Sequence, residues 1–453
     1  MTEPCLMTLS EAVRHIRAGG LSPLELLESC LENIDLLEPD VKAWVTVDRE
    51  GALRQAKLLS DDAIGGALRG PLHGIPVGIK DIFYTAGMRT TAGHSAMANF
   101  IPRYDSAVVE RLRQAGAIIL GKTATTEFAL MAPAATRNPW NLAHTPGGSS
   151  SGSGAAVAAR MCPVAIGSQT GGSTIRPAAY CGVVGFKPTY GRVSAFGMIP
   201  LASSTDHPGI IAREVNDLPL LLQALAGYDP RDQTSAMMPA GDYVREIEGP
   251  VTQPSIALMT GDFLETAADE IRSNVIAVAD RFARAGARVE QIPPPPSFGE
   301  LGKAFWTILT TEPAAYHQEA LENRPGTFDP KTLEFLKKGL TTPAVKYVHS
   351  LDVQRRFRRD AAVVLQHYDA ILVPSTNFTA PAGLDSTGDP VFNNPWSMSG
   401  NPVVGLPSGL SGQGLPMAVQ LVGAAFAEGR LLALARWCER QLGFEDMPSL
   451  VSH

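Results

Sequence analysis

The sequence predicts an α/β protein: a large mixed, mainly parallel twisted sheet covered by helices on both faces. Three observations carry that expectation. From about residue 70, short apolar runs rich in Val and Ile alternate with helix-patterned stretches, and the same cycle returns after residue 255. A chain of 453 residues, 45% of them hydrophobic, is also long enough to bury a large core. Finally, no internal repeat and no long low-complexity linker divides it, which favours one domain over residues 1–453.

The elements follow in order. Thr8-Leu-Ser-Glu11 and Ser22-Pro-Leu-Glu25 match the capping-box pattern, and Pro23 with Leu24, Leu27, Leu31 and Ile34 gives the second helix its first residue and its apolar face. WVTVDRE alternates like a strand. The main cycle reads IPVGIK (strand), SAVVERLRQAGA (helix), IILGK (strand), AAVAARM (helix) and PVAIGSQT (strand), within a core spanning about 70–215. SIALM, DEIRSNVIAVADRFARAGA and VEQI form a second cycle, and RRDAAVVLQHYDAILVPS a late one. Between them PPPP at 293–296 opens a helical stretch over about 297–350, a lid-like layer carrying Phe298, Phe305, Trp306, Tyr316 and Phe328.

Charge excludes several classes. The 38 basic and 45 acidic residues leave a net charge of -7 with no basic run, so neither nucleic acid nor an anionic membrane is an expected partner. The N-terminus lacks a signal pattern and no apolar run reaches about eighteen residues, which predicts a cytoplasmic protein. Cys5, Cys30, Cys162, Cys181 and Cys438 are odd in number and widely spaced, unlike a disulfide framework or a zinc site.

GGSSSGSG at 147–154 raises the functional question. Gly148-Ser-Ser150-Ser-Gly152 formally matches a nucleophile elbow, but NPWNLAHTPG before it reads as loop, and the partners after it, Asp206 and His207, are adjacent and diverge on a strand. Gly116 to Thr123 formally matches a phosphate loop, yet its middle, AIIL, is a buried strand. A slack surface loop is the third option. Two features favour a catalytic scaffold instead: a second Gly-Ser turn, Gln169-Thr-Gly-Gly-Ser173, follows the strand PVAIGS, and Lys80 closes the strand IPVGIK. A lysine at a strand end is often a snorkelling residue; beside two glycine-supported serines it is a candidate base.

HGIPVGIKD, TPGGSSSGSGAAVAA and GSQTGGSTIRPAAYCGVVGFKPTYGRVS strongly resemble the amidase signature family, which hydrolyses amide C-N bonds through a Ser-Ser-Lys triad. The resemblance runs from the paired N-terminal helices to SGNPVVGLPSGL. It implies Ser173 as nucleophile, Ser149 as the bridging serine after a cis peptide bond, and Lys80 as base. It also implies an oxyanion hole made by backbone N-H groups of Thr170, Gly171, Gly172 and Ser173. These residue types suit the chemistry: serine is a weak nucleophile, and only about one lysine in 2,500 is neutral at pH 7, so burial among Ile75, Val77 and Ile79 must lower the pKa of Lys80. No metal or organic cofactor is implied.

Departures bear on the substrate. Many relatives, including the subunit that amidates glutamate on tRNA, carry Asp where this chain has Gln169, so its turn resembles that of free-standing amidases. Arg176 either binds a substrate carboxylate or ties backbone carbonyls, and Arg192 reads as structural. Ala129 to Met131 is the expected wall facing the acyl group. Scattered lid aromatics and TEFALMA suggest an apolar pocket for aryl or medium acyl amides, with carbamates (urethanes) as alternative substrates and esters as side substrates. A partner-dependent amidotransferase-type subunit, an esterase using Ser150 and a non-catalytic scaffold stay open, as does a homodimer.

Overall fold

The computed structural model describes residues 3–451. Eleven strands form one sheet: β1 (Trp44–Val47), β2 (Pro76–Lys80), β3 (Ile118–Thr123), β4 (Val164–Gln169), β5 (Val184–Lys187), β6 (His207–Ala212), β7 (Ser255–Met259), β8 (Arg288–Ile292), β9 (Ala370–Pro374), β10 (Val403–Leu410) and β11 (Pro416–Val422). Their spatial order is β1-β3-β2-β4-β6-β5-β10-β11-β9-β7-β8. The α/β class and the large mixed sheet between helices are as the sequence predicts; the parallel pairing expected to dominate is found in four of its ten strand pairs.

Parallel pairs join β3, β2 and β4 on one side and β9, β7 and β8 on the other. Between them, β6, β5, β10 and β11 pair antiparallel. None of these four is among the strands read from the sequence. Their residues disguise them: HPGIIA and VVGLPSGL contain Pro and Gly, which ordinarily argue against a strand interior.

Period-two alternation sends neighbouring side chains into two cores. Ile119, Val164, Ile166 and Ile210 join the larger cluster, whereas Ile118, Leu120, Ala165 and Ile211 join the cluster under the helices Pro23–Val41 and Arg49–Ile64. Both N-terminal capping boxes form, on Thr8 with Glu11 and on Ser22 with Glu25. The Gly116 to Thr123 segment contains β3, and Lys122 is buried in it, donating to Phe83 O at 2.6 Å and facing Asp81 at 3.4 Å.

The layer expected at 297–350 consists of the helices Phe298–Tyr316, Gln318–Asn323, Pro330–Leu340 and Ala344–Val364. It has no boundary at 350: the last helix runs unbroken into the segment read as the start of the late cycle. No helix among the described residues is long and apolar enough to cross a membrane.

Candidate active site

Three chain segments converge where β2 and β4 end. Lys80 is the last residue of β2 and fully buried. Its Nζ donates to Ser149 Oγ at 2.6 Å and to Ser168 Oγ at 2.8 Å. Burial holds its pKa well below the ordinary 10.5, with Arg176 pushing the same way and Asp206 opposing. The depression favours the neutral, proton-accepting form of the amine.

Ser149 follows a cis Gly148-Ser149 peptide bond. Just beyond it the helix Ser151–Ala158 begins, built from small residues because it is buried against β2, β3, β4 and β6. Close packing explains the glycines better than slack does. Gly147 has φ +81°, and a Cβ on Gly152 would lie 2.1 Å from Ala43 O and 2.3 Å from Ala124 N.

Ser173 lies in the turn between β4 and the helix Ile175–Tyr180. Gln169, the departure noted in the sequence, holds that turn: its Oε1 accepts from Thr174 N and Ile175 N at 3.0 Å each, and its Nε2 donates to Ser397 Oγ at 3.2 Å. Ser397 Oγ in turn donates to Gly171 O at 2.7 Å. A carboxylate at 169 would accept the first two bonds but could not donate the third. Among the described residues, the N-H groups of Gly171, Gly172 and Ser173 reach no protein acceptor.

Ser149, Gly171, Gly172 and Ser173 share a cavity of about 400 Å³. Ala129 and Met131 line it, as expected, and the lid contributes Phe305, Trp306, Leu309 and Phe335. Phe298, Tyr316 and Phe328 do not reach it. Thr170, expected beside the other oxyanion residues for its N-H group, does not line the cavity, although that N-H likewise reaches no protein acceptor among the described residues; its hydroxyl donates to Asp206 Oδ1. Arg176 ties a backbone carbonyl, one of the two roles the sequence left open: its Nη2 donates to Gly148 O at 2.8 Å. The residue also lines the cavity, and its buried Nε and Nη1 have no protein partner among the described residues. Arg192 is tied to Pro239 O and Met238 O and paired with Glu428.

The elbow reading of Ser150 fails on geometry. No strand precedes it, its Oγ is buried and bonded to Ser168 O and Ser168 N, and it does not touch the cavity. Sequence reasoning missed Ser168, Ser397 and the loop 386–390, which brings Thr387 and Asp389 to the cavity. Only Ser168 carried a signal, since it lies in the quoted strand beside the turn.

A family model described as Amidase matches residues 25–432. The chain belongs to the amidase signature family. It shares 35% identity with a glutamyl-tRNA(Gln) amidotransferase subunit from Anaeromyxobacter dehalogenans, over 97% of each chain. Among solved structures it resembles the native peptide amidase of Stenotrophomonas maltophilia, with TM-score 0.83, 30% identity and 98% of each chain covered. It also resembles 6-aminohexanoate cyclic dimer hydrolase in complex with its substrate, with TM-score 0.89, 27% identity and 99% of each chain covered. As an amidase signature protein it is an enzyme of amide C-N bonds.

A lysine that serves as the base must be neutral, so with Lys80 in that role activity is expected to fall as pH drops through its depressed pKa and to recover above it. A kcat/KM profile from pH 5 to 10 is expected to climb to an alkaline plateau, and Lys80→Arg, which stays charged, to remain inactive throughout.

Proposed function

We propose that this chain is a free-standing amidohydrolase that cleaves aryl or medium acyl amides, and carbamates of similar shape, through an acyl-enzyme on Ser173. The observation carrying the reading is the buried Lys80 to Ser149 hydrogen bond at the floor of a cavity that also holds Ser173 and three unclaimed N-H groups.

Ser173 Oγ attacks the acyl carbon. Its proton passes to Ser149 Oγ while the Ser149 proton passes to the neutral Lys80 amine. The N-H groups of Gly171, Gly172 and Ser173 receive the developing oxyanion. The relay then runs backward: Lys80 returns a proton through Ser149 to the departing nitrogen, and the C-N bond breaks. Water enters, gives its proton to the same relay and attacks the ester of Ser173, releasing the acid and restoring the enzyme. A carbamate follows the same course with an oxygen beside the acyl carbon, and an ester offers an easier leaving group.

Leu309, Phe305, Trp306 and Met131 favour an apolar acyl or aryl group over a small charged one. The purified chain is expected to hydrolyse p-nitroanilide amides or matched aryl carbamates unaided, with the ratio naming the better class. Trp306→Ala, which removes a partly exposed aromatic wall of the cavity, should cost roughly tenfold in kcat/KM on the largest aryl substrates and little on acetyl ones.

One observation favours a second reading: the 35% identity to an amidotransferase subunit extends over the full length. Such a subunit would need partner proteins. Gln169 in place of the acidic residue argues for the free-standing form, and unaided turnover by the single chain separates the two.

A further inference from the structure

Asp206 is a buried carboxylate that the proton relay does not use. It accepts hydrogen bonds from Thr170 Oγ1 at 2.5 Å, Leu201 N at 2.8 Å and Ala202 N at 3.1 Å. Thr170 opens the turn that continues through Gly171 and Gly172 to Ser173, so its hydroxyl anchors that turn from behind.

The loop 201–206 has a second attachment. Glu312, on the lid helix Phe298–Tyr316, accepts from Ser204 N at 3.1 Å, Ser204 Oγ at 2.6 Å and Tyr347 Oη at 2.9 Å. Gln354 Nε2, from the last lid helix, donates to Ser204 O at 3.1 Å. Glu312 lies three residues beyond Leu309 and seven beyond Phe305, on the helix face whose side chains line the cavity. One loop is therefore bonded to the oxyanion turn at one end and to the lid at the other.

We propose that Asp206 is a positioning residue: through Thr170 it aims the N-H groups of the turn at the acyl oxygen, and through Ser204 and Glu312 it ties that aim to the seating of the lid. The inference rests on reading Ser173 as the nucleophile. Asp206 also has an electrical effect that a merely structural residue would lack. The charged and titratable groups facing it are Lys80 from β2, Glu312 from the lid and Tyr190. Its negative charge favours protonated Lys80, whereas Arg176 favours the neutral amine. Burial pushes Asp206 up to about 7, against the bonds from Thr170, Ala202 and Leu201 and with Glu312 adding to the rise, which limits this opposition near neutral pH.

The test compares wild type, Asp206→Asn and Thr170→Val on a p-nitrophenyl ester and a p-nitroanilide, with far-UV circular dichroism as the folding check. Both variants are expected to lose roughly ten- to a hundredfold in kcat with KM within about threefold, as misaimed donors do. Asp206→Asn should also move the alkaline limb to lower pH, because Lys80 loses a negative neighbour, while Thr170→Val leaves the limb in place. Variants with wild-type kcat and an unmoved limb would overturn the proposal. If Asp206→Asn does not fold, Thr170→Val decides alone, since it removes one hydroxyl and no charge. A wild type that cleaves neither substrate and takes no serine-directed label at Ser173 refutes the nucleophile reading and this one with it; an active wild type beside unaffected variants refutes only the positioning role.

Discussion

Ser173→Ala lowers kcat/KM by about 10⁴-fold or more on any amide the wild type turns over, while Ser150→Ala stays within a few-fold. The contrast follows from where the two hydroxyls lie. Ser173 faces the cavity beside Ser149 and the free N-H groups; Ser150, in the motif that first suggests a nucleophile, spends its hydroxyl on the backbone of Ser168. Losing the Ser150 hydroxyl removes two buried bonds to Ser168, worth about 1 kcal/mol of stability each, and touches no reacting atom. Lys80→Ala and Ser149→Ala are expected to approach the Ser173→Ala loss, because in the proposed relay the three form one unit whose effects do not add. Steady-state kinetics of the four variants on one p-nitroanilide reads all of this.

Gly152→Ala costs about 3 kcal/mol of stability or more, or prevents folding. An added Cβ would meet Ala43 O at 2.1 Å and Ala124 N at 2.3 Å, and both are backbone atoms that no rotamer change can move away. Those atoms are themselves bonded, Ala124 N to Ala43 O at 2.8 Å, and Gly152 N donates to Ala124 O at 2.9 Å. The methyl would therefore force apart the contact between the helix Ser151–Ala158 and the chain leaving β3. Gly302→Ala is the control: nothing lies within 4 Å of its added Cβ, and inside the helix Phe298–Tyr316 alanine is the better helix former by about 0.5–1 kcal/mol. Urea denaturation of both variants should show stability changes of opposite sign.

Local chemistry made much of this molecule readable. Capping boxes placed both N-terminal helices, and apolar runs placed β2, β3, β4, β7 and β9, because each signal is complete within a few residues. The Gly-Ser motifs and the strand-end lysine marked two turns and Lys80, and the resemblance to the amidase signature family singled out Ser149 and Ser173; the folded chain brings them to one cavity and its floor. What stayed hidden depends on distant parts of the chain. Thr387 bonds to Arg176 across 211 positions, Gln169 reaches Ser397 across 228, and Glu312 holds Ser204 across 108. No periodicity encodes such pairs. Asp206 shows the point most clearly: it appears in the sequence only as a poor partner for Ser150, and the role proposed for it rests on the hydrogen bond that the Thr170 hydroxyl donates to it.

The central claim is that Ser173 carries the acyl group. Intact-mass and peptide-mapping analysis of the chain stopped during reaction with an O-aryl carbamate tests it most directly: there the C-O bond breaks as in an ester, the aryloxide leaves, and the resulting carbamoyl-enzyme is slower to hydrolyse than an acyl-enzyme. The account predicts one adduct on the peptide containing Ser173, absent in Ser173→Ala and formed far more slowly in Lys80→Ala. An adduct on Ser150 or elsewhere, or turnover with no adduct and full activity in Ser173→Ala, would contradict it.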